Sequence, residues 1–216
     1  MPESDWVQQT RLSYEQGALI ESEGLTDPFE LLRLCLTEAK EAHLIEPNAM
    51  CLATVDENGH PDARFVLLRG LDTRGLVFYT NSQSAKGVQL ARCPYATAVF
   101  WWGDLERQVR VRGRVETVSE EEADAYFATR PRGHQVSAWV SPQSQVIPHR
   151  EWLETRLIEV ERQFEGRPVE RPPYWLGYRI VPDQFEFWQG RPNRLHDRLR
   201  YTRQSDSGWL IERLAP

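Results

Sequence analysis

Ala49-Met50-Cys51-Leu52-Ala53-Thr54-Val55, then Asp56-Glu57-Asn58-Gly59, then Ala63-Arg64-Phe65-Val66-Leu67-Leu68-Arg69 is the stretch that decides the fold. Two apolar, extended-type runs flank a quartet of turn-forming residues, so they read as two strands that fold back on each other. Downstream, Asp72-Thr73-Arg74-Gly75 marks a second turn before a strand at Leu76–Thr80, and Tyr95–Trp102 and Arg107–Val118 read as two more. Near the C-terminus the same pattern predicts strands at Trp175–Val181, Gln184–Gln189, Arg198–Arg203 and Trp209–Arg213.

Helices fall between these runs. Asp27-Pro28-Phe29-Glu30 opens one cleanly: aspartate caps, proline takes the first helical position and glutamate can bond back. Phe29, Leu32, Leu36, Ala39 and Leu44 follow at roughly helical spacing until Pro47. Ser84–Cys93 is a short helix ended by Pro94. Ser119-Glu120-Glu121-Glu122 is a capping box that starts a helix to about Thr129, broken by Pro131. Residues 132–148 read as a loop, His149–Glu165 as a charged amphipathic helix, and 166–173 as a linker. Antiparallel strands with inserted helices predict an α+β chain with a barrel or roll core. Residues 1–25 are expected to be a mobile arm and 26–216 a single domain.

Composition narrows the function. With 216 residues, 40% hydrophobic and 27% charged, the chain can bury one substantial core. The net charge of −6 gives no global field toward nucleic acid or an anionic membrane, so any phosphate site must be local. Cys35, Cys51 and Cys93 are odd in number and far apart, which fits neither a disulfide framework nor zinc spacing. With no apolar leader or membrane-length run, the expected setting is the cytoplasm, and no metal is expected.

Several constellations could carry chemistry. Arg64 through Arg69 places arginines within and at the end of an apolar strand, either to meet an anionic ligand or to escape at the strand ends. Tyr79-Thr80-Asn81 runs into Ser82-Gln83-Ser84-Ala85-Lys86, a strand-to-helix junction that suits phosphate or is a plain capped turn. Gln108, Arg110, Arg112 and Arg114 share one strand face, opposite Val109, Val111 and Val115, and read as solvated or interface surface. Tyr126 and Arg130 lie four apart and can hold one anion jointly, or pack on the core and in solvent. Gln143 and Ser144 follow as polar donors. At the C-terminus, Phe187-Trp188-Gln189-Gly190 precedes Arg194-Leu195-His196-Asp197-Arg198. A flat aromatic, an imidazole and two guanidiniums suit a planar, phosphorylated ligand.

These five segments, in this order and approximate spacing from Arg11 to the ending Glu212-Arg213-Leu214-Ala215-Pro216, resemble the pyridoxamine 5'-phosphate oxidases. The resemblance implies an FMN-binding split barrel, that is, an antiparallel barrel or roll with peripheral helices, and a homodimer with FMN at the subunit interface. It implies FMN contacts from Arg64, Phe65, Val66, Leu67, Leu68, Arg69, Tyr79, Thr80, Lys86, Gln108, Gln143, Ser144, Trp188 and Arg198. Substrate contacts would come from Arg11, Tyr14, Arg69, Tyr126, Arg130, His134, Arg194, Leu195 and His196, with Arg194 and His196 catalytic.

The implied reaction oxidises pyridoxamine and pyridoxine 5'-phosphate to pyridoxal 5'-phosphate with dioxygen as acceptor. It gives hydrogen peroxide, and ammonia from the amine, in vitamin B6 biosynthesis or salvage. A related flavin oxidase acting on a phenazine-type substrate, or a non-catalytic flavin or pyridoxal-phosphate carrier, are the alternatives. Many family members carry arginine where Ala85 stands, lysine where Arg69 stands and serine where His134 stands.

Overall fold

The hairpin forms where the turn quartet places it. Strand β1 (Ala49–Val55) pairs antiparallel with β2 (Pro61–Leu67), from Ala49 opposite Leu67 to Val55 opposite Pro61. The Asp56 carboxylate closes the turn by accepting from the backbone N–H groups of Asn58 and His60, both at 2.8 Å. Gly59 takes the left-handed conformation the turn needs, φ +83°. Met50, Leu52 and Thr54 of β1 are buried, whereas Phe65 on β2 is 74% exposed.

The computed structural model describes residues 13–15, 17–19, 26–205 and 208–216. The expectation for Arg11, and most of that for the 1–25 arm, lies outside them. The remaining elements are α1 (Pro28–Glu41), β3 (Gly70–Asp72), β4 (Gly75–Asn81), α2 (Ala85–Arg92), β5 (Tyr95–Trp102), β6 (Arg107–Thr117), α3 (Glu120–Thr129), α4 (Arg132–Val140), α5 (Arg150–Gln163), β7 (Trp175–Gln189), β8 (Asp197–Arg203) and β9 (Trp209–Arg213). The strands form one sheet in the order β2-β1-β5-β6-β7-β4-β3, with β8 paired to β7 and β9 to β8.

Two expectations are corrected. The two strands expected at Trp175–Val181 and Gln184–Gln189 are one continuous β7 that runs through Pro182. Pairing with β4 ends at Ile180 and pairing with β8 begins at Gln184, so on that side the proline interrupts no ladder. The expected loop at 132–148 begins instead with helix α4. Its Val136 and Val140 are one helical turn apart and bury against Phe127, Val160 and Phe164. The Arg132 guanidinium fastens the helix start to the Phe164 and Arg167 carbonyls at 2.7 and 3.1 Å.

Capping follows the sequence more closely. Asp27 accepts from the Phe29 N–H at 2.9 Å, although Glu30 turns to Arg33 rather than back to the cap. Ser119 caps α3 through the Glu122 N–H. Along β6, Val109, Val111 and Val115 are buried and Arg110, Arg112 and Arg114 exposed. Arg110 pairs with Glu186 and Arg112 with Asp183, so these arginines are spent on carboxylates.

The chain divides into two compact units. One comprises Met1–Pro47, Val99–Val111 and Gln184–Pro216, the other Asn48–Ala98 and Arg112–Asp183. In the first, Phe29 sets its ring edge-on to Phe185 at 5.1 Å, and Phe187 meets Tyr201 at 5.5 Å. Part-buried Arg107 there pairs with Glu38 near Cys35, whose thiol is pushed up to about 11 by burial. In the second, Phe127, Val136, Val140, Val160, Phe164, Val169 and Trp175 form the cluster under α3, α4 and α5.

Candidate functional site

In the second unit a cavity of about 790 Å³ opens between the β2 and β4 strand ends, the starts of α2 and α4, and the end of α3. Phe65, Val66, Leu67, Arg69, Tyr79, Thr80, Lys86, Tyr126, Arg130, His134 and Gln143 of the expected site all line it. Asn81 of the strand-to-helix junction lines it as well, as do Ser137 and Trp175, which sequence reasoning did not single out. Three permanently or ordinarily cationic side chains and a histidine face this space, and among the described residues no carboxylate does. Such a lining selects anions.

Local structure explains each placement. The strand-to-helix junction holds Lys86 inward. Asn81 accepts from the Gln83 N–H at 2.7 Å through its side chain, and Ser84 caps α2 through the Gly87 N–H. The Lys86 ammonium is buried and donates to the Gln143 Oε1 at 3.2 Å and the Thr80 Oγ1 at 3.4 Å, both neutral oxygens. Burial, helped by nearby Arg64, lowers its pKa. Thr80 donates to the same Gln143 oxygen at 2.9 Å. Among the described residues this ammonium hydrogen-bonds neutral oxygens, while Asp62 acts on it only beyond contact distance, so an anionic ligand would supply a direct counter-charge.

The opposite wall is aromatic. Tyr79, Tyr126 and Trp175 lie nearly parallel, with Tyr79 centred 4.1 Å from Tyr126 and 5.0 Å from Trp175. Gly177, paired with Tyr79 across the strands, makes room for this ring. A methyl on Gly177 would stand 2.6 Å from the Tyr79 ring and 2.5 Å from Val118. The Tyr79 phenol is pushed up to about 12, chiefly by burial and then by Glu122. Arg130 has left the helix at its C-cap, so it does not continue the α3 face as the four-residue spacing suggested, yet it still reaches the cavity beside Tyr126. Its Nη1 is buried without a hydrogen-bond partner. Burial lowers its pKa, with Arg69 acting in the same direction.

Some expected residues lie elsewhere. Arg64 donates to the Leu52 carbonyl and to Thr54 and Gln89, and pairs with Asp62, so its guanidinium is used between the hairpin and α2. Leu68 is buried in the core, and Ser144, at φ +71°, lines a separate shallow depression with Asp56, Gln89 and Arg92.

The C-terminal signature forms a second cluster, in the first unit. His196 lies 4.7 Å from Trp188, and Tyr14 sets its ring against both at 5.7 and 5.5 Å. Half-exposed Trp101 stands 6.0 Å from Trp188. Tyr14 fits because residue 190 is glycine, where an added methyl would meet it at 2.7 Å. The Arg191 N–H donates to His196 Nδ1 at 3.1 Å. Buried Glu186 holds Arg198 through both Nε and Nη2, at 3.0 and 2.9 Å. Asn193 and Arg194 both adopt left-handed backbone, φ +58° and +61°, an uncommon pair of non-glycine residues that turns Arg194 and Leu195 outward. Gln108 is partly buried on the neighbouring β6.

A family model described as Pyridoxamine 5'-phosphate oxidase matches residues 36–164, and one described as Pyridoxine 5'-phosphate oxidase C-terminal dimerisation region matches 175–216. The chain is 54% identical over 206 residues to a pyridoxine/pyridoxamine 5'-phosphate oxidase of Synechocystis sp., covering 95% of this chain and 96% of that one. It is 55% identical to the enzyme of the same name from Cupriavidus taiwanensis, covering 95% and 97%. Among solved structures, PhzG from Burkholderia lata, in complex with tetrahydrophenazine-1-carboxylic acid, superposes with a TM-score of 0.86 at 30% identity, over 94% of this chain and 100% of that one. A pyridoxamine 5'-phosphate oxidase-related, FMN binding protein from Nostoc punctiforme gives 0.70 at 21% identity, over 92% and 98%, and shares the fold. The split-barrel expectation therefore holds.

Proposed function

The chain belongs to the pyridoxamine 5'-phosphate oxidase family, and we propose that it oxidises pyridoxamine 5'-phosphate and pyridoxine 5'-phosphate to pyridoxal 5'-phosphate. Dioxygen is the acceptor and becomes hydrogen peroxide; the amine substrate also takes up water and releases ammonia. The observation that carries this reading is the cavity with Arg69, Lys86 and Arg130 on its lining and, among the described residues, no carboxylate there and one guanidinium nitrogen without a partner. Tyr126 beside Arg130 is the phosphate grip that separates this reading from a phenazine-type oxidase.

FMN fits the donor set, because buried Lys86 hydrogen-bonds neutral oxygens and Thr80 and Gln143 stand beside it. The cavity residues that would hold it are Lys86, Thr80, Tyr79 and Gln143, with Phe65, Val66, Leu67 and Arg69 of the β2 end. When bound, FMN supplies the two-electron acceptor for the substrate's C4' carbon. Arg69, Tyr126, Arg130 and His134 bind the substrate's phosphate.

His196 acts as a donor. Its Nδ1 accepts from the Arg191 N–H, so the neutral ring carries its proton on Nε2 and offers that N–H to the substrate. Arg194, exposed and without a side-chain partner among the described residues, orients the pyridine ring and stabilises charge that develops on it. Tyr14, packed on Trp188 and His196, closes over the ring. The proposal includes a homodimer with FMN at the subunit interface, consistent with the matched dimerisation region. It also includes a reducing cytoplasmic setting, consistent with three free thiols. No helix among the described residues is long and apolar enough to cross a membrane.

The test is anaerobic. Pyridoxine 5'-phosphate added to the FMN-loaded protein bleaches the oxidised-flavin absorption, and air restores it with formation of pyridoxal 5'-phosphate. Flavin bands that persist, or a protein that takes up no FMN, would overturn the reading. Arg194→Ala is expected to lower turnover heavily while FMN remains bound; unchanged turnover removes Arg194 from the mechanism.

A further inference from the structure

Arg130 differs from other arginines that are buried or part-buried. Arg64 pairs with Asp62, Arg107 with Glu38, Arg171 with Asp124, Arg179 with Glu122 and Arg198 with Glu186. Arg130 makes no side-chain hydrogen bond and no ion pair among the described residues, and its Nη1 is buried without a partner. What it touches is aromatic: its guanidinium carbon stands 4.8 Å from the centre of the Trp175 ring and 5.4 Å from that of Phe127.

We infer that Trp175 is a positioning residue for the phosphate grip: its indole face holds the Arg130 guanidinium by its plane, which leaves the N–H edges of that group for the oxygens of a phosphate ester. This rests on the proposed function for the identity of the ester, though not for its charge. A carboxylate partner would fix the same guanidinium but would occupy those edges and cancel the charge the ligand needs. An aromatic face attracts the cation without competing for its donors, and tryptophan provides the strongest such face.

Trp175 is itself firmly seated. It is 7% exposed and lies opposite Asn81 at the end of β4. Its backbone N–H donates to the Pro172 carbonyl at 2.9 Å, its own carbonyl accepts from Arg171 at 2.9 Å, and the Phe127 ring meets it edge-on at 5.1 Å. The same indole lies within 8° of parallel to Tyr126, with centres 6.1 Å apart. One rigid side chain therefore lies parallel to Tyr126 and against Arg130, two of the four residues expected to hold the phosphate. Its own role was not legible, because Trp175 lies 45 residues from Arg130 along the chain and opens a strand that reads as ordinary core.

The test is a steady-state comparison with pyridoxine 5'-phosphate as the varied substrate. Trp175→Leu is expected to raise KM by about 2- to 30-fold, the range for loss of a cation–π contact, with kcat changed less than about 2-fold. Trp175→Phe, which keeps a smaller aromatic face, should raise KM less. In an Arg130→Ala background Trp175→Leu should add no further rise, since the group it positions is gone. An unchanged KM in Trp175→Leu, or an equal rise with and without Arg130, would overturn the inference by reducing Trp175 to a packing residue.

If Trp175→Leu does not fold, the Trp175→Phe comparison in the two backgrounds decides in the same way. If the unmodified protein fails to oxidise the substrate, the proposed function has failed. The inference is then read from calorimetric binding of inorganic phosphate: weaker binding in Trp175→Phe only when Arg130 is present upholds it, and equal binding refutes it.

Discussion

Gly177→Ala is the sharpest probe of how the aromatic wall is seated. The added methyl would stand 2.5 Å from Val118 Cγ2, and 2.6 and 3.0 Å from two carbons of the Tyr79 ring. Carbon atoms prefer about 3.5–4.0 Å, so the neighbours must retreat by roughly 1 Å. Val118 is buried against Val77 and Ala123, and Tyr79 is already parallel to Tyr126 and Trp175, so neither moves freely. Overpacking of this kind costs about 1–3 kcal/mol. For a chain of this length each kcal/mol lowers Tm by about 2–4 °C, so thermal unfolding should fall by about 2–12 °C. Because Tyr79 lines the cavity, KM for pyridoxine 5'-phosphate or the affinity for FMN should weaken in the same variant. Gly133→Ala is the control, since a methyl there meets nothing within 4 Å and lies in helix α4. It should leave Tm unchanged or raise it by a few degrees, as alanine is the better helix former by up to about 1 kcal/mol. A Gly177→Ala protein that melts within 1 °C of the parent and binds both ligands unchanged would refute the described seat of the Tyr79 ring.

Glu122→Ala removes the two-oxygen grip on buried Arg179, at 2.8 and 2.9 Å, and leaves Glu116 at 3.5 Å as the remaining carboxylate. A loss of about 1–3 kcal/mol in denaturant unfolding is expected, and an unchanged midpoint would show that Glu116 suffices. Lys86→Met should weaken FMN binding at least about 10-fold while leaving the ligand-free protein equally or more stable, because it deletes a buried ammonium hydrogen-bonded to neutral oxygens. Equal FMN affinity in titration would contradict that role.

Cys35 gives a pH signature. Its folded pKa, raised to about 11 from 9.0, means the fold retains a proton that the unfolded chain releases, so this stabilisation is complete below pH 9 and is lost as pH rises toward 11. The loss amounts to about 2–3 kcal/mol and should be absent from Cys35→Ala; parallel stability curves for the two proteins between pH 9 and 11 would exclude it.

What the sequence disclosed depended on how local the cause was. The β1–β2 hairpin was legible because alternation and turn chemistry both lie within residues 49–69, and the caps at Asp27 and Ser119 each concern one helical turn. Helix α4 escaped because only Val136 and Val140 mark its buried face and what they pack on comes from α3 and α5. Pro182 looked like a break because a sequence does not show where the neighbouring strands stop pairing. Most of the cavity residues were found, since a lysine at a strand-to-helix junction or a tyrosine near an arginine carries a readable chemical bias. Arg64 shows the limit. A guanidinium in an apolar strand signals that some partner exists, but Thr54, Asp62 and Gln89 can be named only once the chain is folded. The left-handed backbone at Asn193 and Arg194 left no trace either, as no glycine marks it.

The interleaving of the two compact units bears on the order of synthesis. The chain passes between them after Pro47, Ala98, Val111 and Asp183, so neither unit corresponds to a continuous piece of gene. Gln184–Pro216, made after everything else in this sequence, completes the unit that α1 begins, and until it emerges the Phe29 ring has no Phe185 to pack against. Nascent chains must therefore hold an unfinished apolar surface for most of translation, a period in which aggregation competes with folding. The gap between the two matched family segments, between residues 164 and 175, falls inside the second unit and not at a unit boundary. A fragment ending there would keep every residue that lines the cavity except Trp175, and would lack Phe185, against which the Phe29 ring of α1 packs.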